Sequence, residues 1–157
     1  MDEKLIEGAQ LISLKMVREQ VPEYENATKA VKDVKDAVEM FESVFALSLM
    51  AEEAMCMITL STANRPTGFW IISVGSLNES LVHPREVYKR ALLSNSCNII
   101  LAHNHPSGDP ELSVSDRKLL ARLLEAGKVM GVKLLDFIAV GSGGEFVSAQ
   151  KRGLMGS

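Results

Sequence analysis

The chain of 157 residues is 46% hydrophobic and 24% charged, with a formal net charge of −3. These values are typical of one globular domain and unlike those of disordered or fibrous chains. The longest apolar runs fall well short of the roughly 20 residues that span a bilayer, and the amino terminus lacks the basic-then-apolar order of a signal peptide. We therefore expect a cytoplasmic protein without a membrane segment.

In chain order, residues 1–27 are predicted to form an extension that contains one strand, at residues 11–17, ahead of a main domain at residues 28–157. From Thr28, apolar residues recur every three or four positions up to Leu47. This spacing predicts an amphipathic helix of about four or five turns.

Residues 55–61 and 69–75 are predicted to form two strands of a hairpin, joined by a turn rich in Asn, Pro and Gly. A helix is then expected over residues 81–95. Its first turn contains Pro84, where the missing N–H costs no hydrogen bond, and His83 is placed to cap it.

Residues 98–105 form the next predicted strand, and residues 113–128 form a helix that Gly127 is expected to close. A last hairpin is predicted at residues 134–141 and 145–150, across a glycine-rich turn. Strands and helices therefore alternate, with one hairpin early and one late. This order predicts an α/β domain with a mixed sheet flanked by helices.

The cysteines and the basic residues say less about function than the motifs described below. The two cysteines, Cys56 and Cys97, lie in apolar surroundings without metal-ligand spacing and are expected to be buried free thiols. A surplus of bases on two predicted helices indicates either a nucleic-acid surface or, more commonly, a solvated helix face with mixed charges. These bases are Arg85, Lys89, Arg90, Arg117, Lys118, Arg122 and Lys128.

The stretch HNHPSGDPELSVSD starts at His103 and contains two of the chain's three histidines. On a strand, His103 and His105 project to one side and Asn104 to the other. The helix that begins after Ser113 can bring the Asp116 carboxylate back over the strand end. Two imidazoles and one carboxylate with a vacant position are the ligands of a catalytic zinc site, so His103, His105 and Asp116 are predicted to bind Zn²⁺.

The candidate ligands also have structural explanations. Ser113 and Asp116 have the spacing of a capping box, so Asp116 is expected to stabilise the helix start as well, and the two roles are compatible. A pair of imidazoles on an apolar strand is hard to bury without partners, which favours a metal site. His83 is a poorer ligand candidate because helix capping explains it.

The spacing His103-x-His105, Ser113 and Asp116 resembles the JAMM (MPN+) metalloprotease motif. More closely, SLNESLVHPREVYKRALLSNSCNIILAHNHPSGDP and EAGKVMGVKLLDFIAVG resemble the bacterial RadC family, long named as DNA repair proteins, from about residue 11 to Leu154. The resemblance implies a three-layer α/β/α domain of the deaminase-like JAB/MPN type, with the metal at the sheet edge. It also implies the short form associated with mobile elements, without the helix-hairpin-helix region of longer RadC proteins.

The family also uses an upstream glutamate as general acid and base. The LxTxNR segment aligns Glu53 with it, and Glu52 is the alternative. Such a group is needed because zinc lowers the pKa of bound water toward ~7, but a carboxylate must still take the proton during attack and deliver it to the leaving amine. Ser113 would hydrogen-bond the water or the developing oxyanion.

The sequence departs from the RadC pattern at two positions. Leu112 stands where a proline is often found, which we expect to be harmless. Phe137 stands where many relatives have histidine, so no role of that histidine is transferred to this chain. Asp136 beside it is predicted to be either a partner of the metal ligands or a solvent contact at the strand edge.

These features predict a zinc-dependent hydrolase of the metallopeptidase or isopeptidase type, acting on a protein or peptide that the sequence does not identify. Two alternatives stay open: a DNA-associated accessory protein with a structural or vestigial metal site, and a zinc-dependent nuclease. Fold resemblance alone does not choose among them. No membrane partner is expected, and the sequence does not indicate the oligomeric state.

Overall fold

The computed structural model describes residues 28–75 and 82–156. The predicted extension at residues 1–27, with its strand, lies outside the described residues. None of the described helices is long and apolar enough to cross a membrane. The described elements are α1 (Val34–Phe45), a short 3₁₀ helix (Leu47–Leu49), β1 (Ala54–Leu60), β2 (Pro66–Val74), α2 (Pro84–Leu93), β3 (Asn98–Asn104), α3 (Val114–Met130), β4 (Lys133–Val140) and β5 (Phe146–Ser148).

The strands form one mixed sheet in the order β2-β1-β3-β4-β5. Strand β1 pairs antiparallel with both β2 and β3, β3 pairs parallel with β4, and β4 pairs antiparallel with β5. A parallel pair needs a crossover connection, which α3 supplies between β3 and β4. Both predicted hairpins are confirmed, although β2 starts at Pro66 rather than at residue 69.

Alternating side chains of the strands build two separate cores, one on each face of the sheet. The core on one face includes Phe41 of α1 and Ile58 of β1. The core on the other face includes Tyr88 of α2 and Leu123 of α3. Helix α1 therefore covers one face and α2 and α3 cover the other, which confirms the predicted three-layer α/β/α architecture.

The first helix is shorter than its apolar spacing predicted. It begins after Asp33, whose side chain accepts a hydrogen bond from the Asp36 N–H, while the Asp36 carboxylate accepts one from the Asp33 N–H. It ends at Phe45, because Ala46 adopts a left-handed conformation with φ 50°. The apolar spacing continues into the 3₁₀ helix, but this capping box fixes where the α-helix starts.

The prediction that Gly127 closes helix α3 is wrong. The helix continues to Met130 and is capped by Gly131 at φ 68°. Gly127 lies inside the helix at a close contact with α2. A Cβ at this position would lie 2.6 Å from the Tyr88 Oη and 2.7 Å from the Val132 carbonyl oxygen. Close packing, rather than helix termination, therefore explains Gly127.

The two cysteines differ in burial. Cys56 is a buried free thiol, as predicted, and burial raises its pKa to about 12. Cys97 is also free but is exposed, which corrects the prediction that both are buried. Its apolar neighbours along the chain belong to β3, whereas Cys97 itself lies before the strand begins.

Candidate metal centre

The predicted ligands lie where β3 ends beside the start of α3. His103 is the next-to-last residue of β3 and is fully buried. His105 follows the strand end, and its N–H still donates to the Val140 carbonyl of β4 at 2.9 Å. Asp116 is at the third position of α3, with only 10% of its side chain exposed. The local fold therefore brings all three predicted ligands to one edge of the sheet.

A capping box orients Asp116 at this position. The Asp116 N–H donates to Ser113 Oγ at 3.0 Å, and the Ser113 N–H donates to Asp116 Oδ2 at 2.9 Å. Asp116 therefore stabilises the helix start, as predicted. The hydrogen bond from the Ser113 N–H holds its carboxylate toward the imidazoles of His103 and His105.

The three side chains direct their ligand atoms at one another. His103 Nε2 lies 3.1 Å from His105 Nε2 and 3.1 Å from Asp116 Oδ1. His105 Nε2 lies 3.1 Å from Asp116 Oδ2, and the ligand atoms of this group are all within 4.8 Å of one another. Donor atoms bound about 2.0–2.1 Å from one tetrahedral zinc ion are about 3.3 Å apart, so this spacing fits a shared ion.

The hydrogen bonds of His105 determine which of its nitrogens can bind a cation. Its Nδ1 lies 2.8 Å from the Asp109 carbonyl oxygen, which only accepts, so Nδ1 carries the hydrogen. In the neutral ring the Nε2 lone pair then faces the Asp116 carboxylate. Two acceptors 3.1 Å apart repel each other unless a proton or a cation lies between them.

These contacts shift the pKa values of two of the predicted ligands. The hydrogen bond with Asp116 raises the pKa of His105, which burial alone would lower, and the Asp109 carbonyl and the Glu53 charge also raise it. Burial alone would raise the pKa of Asp116, but hydrogen bonds from His103 and His105 hold it well below its usual range. The carboxylate charge is thus balanced by protons on the neighbouring imidazoles, and a divalent cation bound between the same atoms would take the place of these protons.

The predicted general acid and base lies at the same edge of the sheet. Glu53 is half-buried directly before β1, and Met55 of β1 pairs with His103 of β3. The charge of Glu53 acts on His105. The alternative residue, Glu52, is exposed.

The sequence profile of the RadC-like JAB domain family matches residues 31–154. This chain belongs to that family. The match begins later than residue 11, from which the resemblance was expected, so residues 11–30 are not part of it.

The relatives of this RadC-like chain include three bacterial proteins named UPF0758. The one from Clostridium botulinum is 43% identical over 109 residues, which cover 69% of this chain and 47% of the relative. The one from Desulfitobacterium hafniense is 46% identical over 99 residues, which cover 63% of this chain and 43% of the relative. The one from Moorella thermoacetica is 47% identical over 98 residues, or 62% and 42%. The match thus spans less than half of each relative, and their names state no reaction.

In this RadC-like domain, His103 is held by packing at its second nitrogen. Its Nδ1 is buried and has no hydrogen-bond partner among the described residues. The ring of Phe137 lies against it, with 5.0 Å between the ring centroids. An imidazole that binds a metal usually donates its other N–H to an acceptor, and the apolar ring of Phe137 supplies none.

Asp136 is not part of the centre. Its carboxylate accepts hydrogen bonds from Ser148 Oγ at 2.6 Å, from the Gln150 N–H at 3.0 Å and from the Phe137 N–H at 2.7 Å. The residue is buried, so both predicted roles, a partner of the metal ligands and a solvent contact, are wrong. Asp136 instead links β4 to Ser148 at the end of β5 and to Gln150 after it.

His83 also lies outside the centre. Its Nδ1 accepts a hydrogen bond from the Arg85 N–H at 3.1 Å at the start of α2. The predicted capping role is therefore confirmed, and the chain's third histidine has a structural explanation.

Most of the bases on α2 and α3 that indicated a possible nucleic-acid surface have acidic partners. Hydrogen bonds from Lys89 and Arg90 lower the pKa of Glu86 to about 2. The pairs are Arg85–Glu86, Lys89–Glu86, Arg90–Glu86, Arg117–Glu111 and Lys128–Glu125. Such pairs are typical of a solvated helix face and add no support for DNA binding.

Proposed function

We propose that this RadC-like domain is a zinc-dependent hydrolase that cleaves an amide or isopeptide bond in a protein or peptide. The observation that carries the proposal is the convergence of His103, His105 and Asp116, whose acceptor atoms lie 3.1 Å apart. These three residues would hold the ion. When bound, zinc supplies a Lewis acid for the carbonyl and makes water a nucleophile at neutral pH.

Glu53 is the proposed general acid and base. Its charge contributes to raising the pKa of His105, and its half-buried position leaves it accessible to a substrate. It accepts a proton from the attacking water and delivers that proton to the leaving amine, since an amine leaves poorly without one. The exposed Glu52 is the less suitable of the two.

Ser113 is proposed to donate a hydrogen bond to the water or to the developing oxyanion. Its Oγ accepts from the Asp116 N–H at 3.0 Å, and a hydroxyl has one donor hydrogen in addition to its lone pairs. The residue is exposed at the rim of the centre. Its O–H can therefore turn toward a substrate oxygen while the lone pair caps α3.

The two alternatives make different demands on the surface. A DNA-associated protein needs unpaired bases to contact phosphates, and most bases on α2 and α3 are paired with acids. A nuclease would use the same ligands on a phosphodiester, so only a substrate assay separates it from a peptidase.

The first test is metal content. Elemental mass spectrometry of protein purified without chelator is expected to find about one zinc ion per chain, and none in His103→Ala or Asp116→Ala. Circular dichroism of each variant checks that it is folded. A folded wild-type chain that binds no zinc when zinc is supplied rules out this proposal.

The second test is cleavage. Zinc-loaded protein is incubated with a library of quenched fluorescent peptides, with a lysine Nε-linked isopeptide and with DNA. Glu53→Gln is the control, because it keeps the zinc ligands and removes the proton acceptor. Peptide cleavage that Glu53→Gln abolishes supports the proposal. DNA cleavage lost in His103→Ala, without peptide cleavage, supports the nuclease instead.

A further inference from the structure

The residue between the two histidine ligands binds the chain on both sides of Glu53. Asn104 is buried, with 2% of its surface exposed. Its Oδ1 accepts a hydrogen bond from the Ala54 N–H at 2.7 Å, and its Nδ2 donates to the carbonyls of Glu52 at 3.0 Å and Met50 at 3.1 Å. One side-chain amide therefore bridges the two peptide groups that flank Glu53.

Only one orientation of the Asn104 amide satisfies these contacts. A peptide N–H only donates and a peptide carbonyl only accepts, so Oδ1 must face Ala54 and Nδ2 must face the two carbonyls. The Glu53 carbonyl is held as well, since it accepts from the Gly75 N–H at 2.8 Å. The main chain is thus fixed before, at and after Glu53.

We call the hydrogen bonds from the Asn104 side chain to the backbone of Met50, Glu52 and Ala54 the Asn104 clamp. The end of β3 carries both this clamp and the predicted metal ligands. His103 projects from one face of β3 and Asn104 from the other, because side chains alternate along a strand. The end of β3 therefore presents the ligands on the α3 side and holds the Glu53 segment from the α1 side. Asn104 faces away from the ligands, and its side-chain hydrogen bonds are made with the segment that carries Glu53.

We propose that Asn104 is a positioning residue that holds Glu53 at the location that proton transfer at the metal centre requires. The inference rests on the proposed function of Glu53. A displacement of about 1 Å can lower the rate of an enzymatic step about 100-fold, so a clamp on the main chain of the proton acceptor affects turnover more than binding.

Asn98 provides a matched control. It is the same residue type at the opposite end of β3, and the even spacing places it on the same face as Asn104. Its Nδ2 donates to Asn64 Oδ1 at 2.9 Å. The variant Asn98→Ala thus removes a side-chain amide from the same strand without altering the segment around Glu53.

The experiment compares Asn104→Ala with Asn98→Ala in two measurements. In zinc-free protein, hydrogen exchange of the Ala54 amide followed by NMR is expected to be at least about 10-fold faster in Asn104→Ala only, since that amide loses its acceptor. With zinc loaded, kcat on a peptide cleaved in the library screen is expected to fall about 10–100-fold in Asn104→Ala. Zinc content and KM are expected to match the wild type.

Each result decides a separate question. An unchanged kcat in folded Asn104→Ala, or a rise in KM or a loss of zinc that accounts for the defect, overturns the positioning role. If Asn104→Ala does not fold, Asn104→Asp keeps the acceptor for Ala54 and removes both donors, and a kcat within about twofold of wild type overturns the proposal equally. A wild-type chain that binds zinc but cleaves none of the peptides counts against the proposed function, and Ala54 exchange alone then decides whether the clamp exists.

Discussion

Helices α1 and α3 begin with the same capping box on opposite faces of the sheet, yet only the box of α3 contributes to the candidate metal centre. In α1, the Asp36 carboxylate accepts hydrogen bonds from the N–H groups of Lys32 at 2.9 Å and Asp33 at 3.4 Å. In α3, the Asp116 carboxylate accepts from the Ser113 N–H at 2.9 Å and also faces two imidazoles. A capping box therefore places a carboxylate, and the neighbouring strand decides what that carboxylate does.

The physical cause of the difference is charge compensation. Both carboxylates lie at a helix amino terminus, where the helix dipole stabilises negative charge. Asp116 is also buried beside His103 and His105, whose hydrogen bonds hold its pKa well below the usual range. Only this carboxylate therefore has nitrogen ligands beside it and little water around it, which are the conditions for cation binding.

The largest expected effect is on zinc affinity, in the pair Asp116→Asn and Asp36→Asn. Asparagine at either position still accepts from the backbone N–H, so both helices keep their caps, and only the negative charge is lost. The zinc Kd, measured by competition with a chromophoric chelator, is expected to rise more than about 100-fold in Asp116→Asn. This exceeds the loss of about 10–100-fold that is typical when a residue that only orients the metal ligands is replaced. Asp36→Asn is expected to match the wild type, and equal losses in both would contradict the ligand assignment.

The second expected effect is on thermal stability. Zinc at about 1,000 times its Kd stabilises the folded state by about 4 kcal/mol, which raises the unfolding midpoint by about 8–16 °C in a domain of this size. Calorimetry with and without chelator measures this shift. Asp36→Asn should keep it and Asp116→Asn should lose most of it. A full shift in Asp116→Asn would mean that zinc stabilises the chain at another site.

The convergence of the candidate metal ligands could be predicted from the sequence because these residues are close in the chain. His103 and His105 share a face of one strand, and Ser113 and Asp116 form a box that local spacing reveals. Each step needs only the period of a strand or the start of a helix. The same pattern, Asp33-x-x-Asp36, could also have located the start of α1, but apolar spacing alone predicted a longer helix.

Features that depend on distant pairing were not predictable in this way. Asn104 reaches Met50, Glu52 and Ala54 only because β1 and β3 pair antiparallel. The partners of Asp136 likewise depend on how the chain turns after β5. Sequence periodicity gives the face of a side chain, but not the neighbour that a sheet brings to it.

The third expected effect is a loss of stability at high pH, to which one buried residue on each face of the sheet contributes. Burial raises the pKa of Cys56, on the α1 side, from 9.0 to about 12, and that of Tyr88, on the α3 side, from 10.0 to about 12. The folded chain therefore keeps both protons longer than the unfolded chain. The associated stability is complete below pH 9 for the thiol and below pH 10 for the phenol, and it is lost as pH rises toward 12.

Urea unfolding at several pH values measures these losses. By pH 11 we expect the free energy of unfolding to fall by at most about 3 kcal/mol through Cys56 and about 1 kcal/mol through Tyr88. Cys56→Ala should remove the first loss and Tyr88→Phe the second, while the exposed Cys97→Ala should remove neither. A wild-type free energy that is constant from pH 8 to 11 would contradict both expectations.

The smallest effect compares the two N-cap side chains, in Ser113→Ala and Asp33→Ala. Each variant loses one side-chain acceptor for a helix N–H, so each should lower the free energy of unfolding by about 1 kcal/mol in urea titrations. The Ser113 N–H, which orients Asp116, belongs to the backbone and remains in Ser113→Ala. Its zinc Kd should therefore stay within about threefold of wild type, whereas the proposed hydrogen bond to the oxyanion predicts a lower kcat. A loss of zinc in Ser113→Ala would instead show that the hydroxyl, and not the backbone N–H, holds the carboxylate toward the histidines.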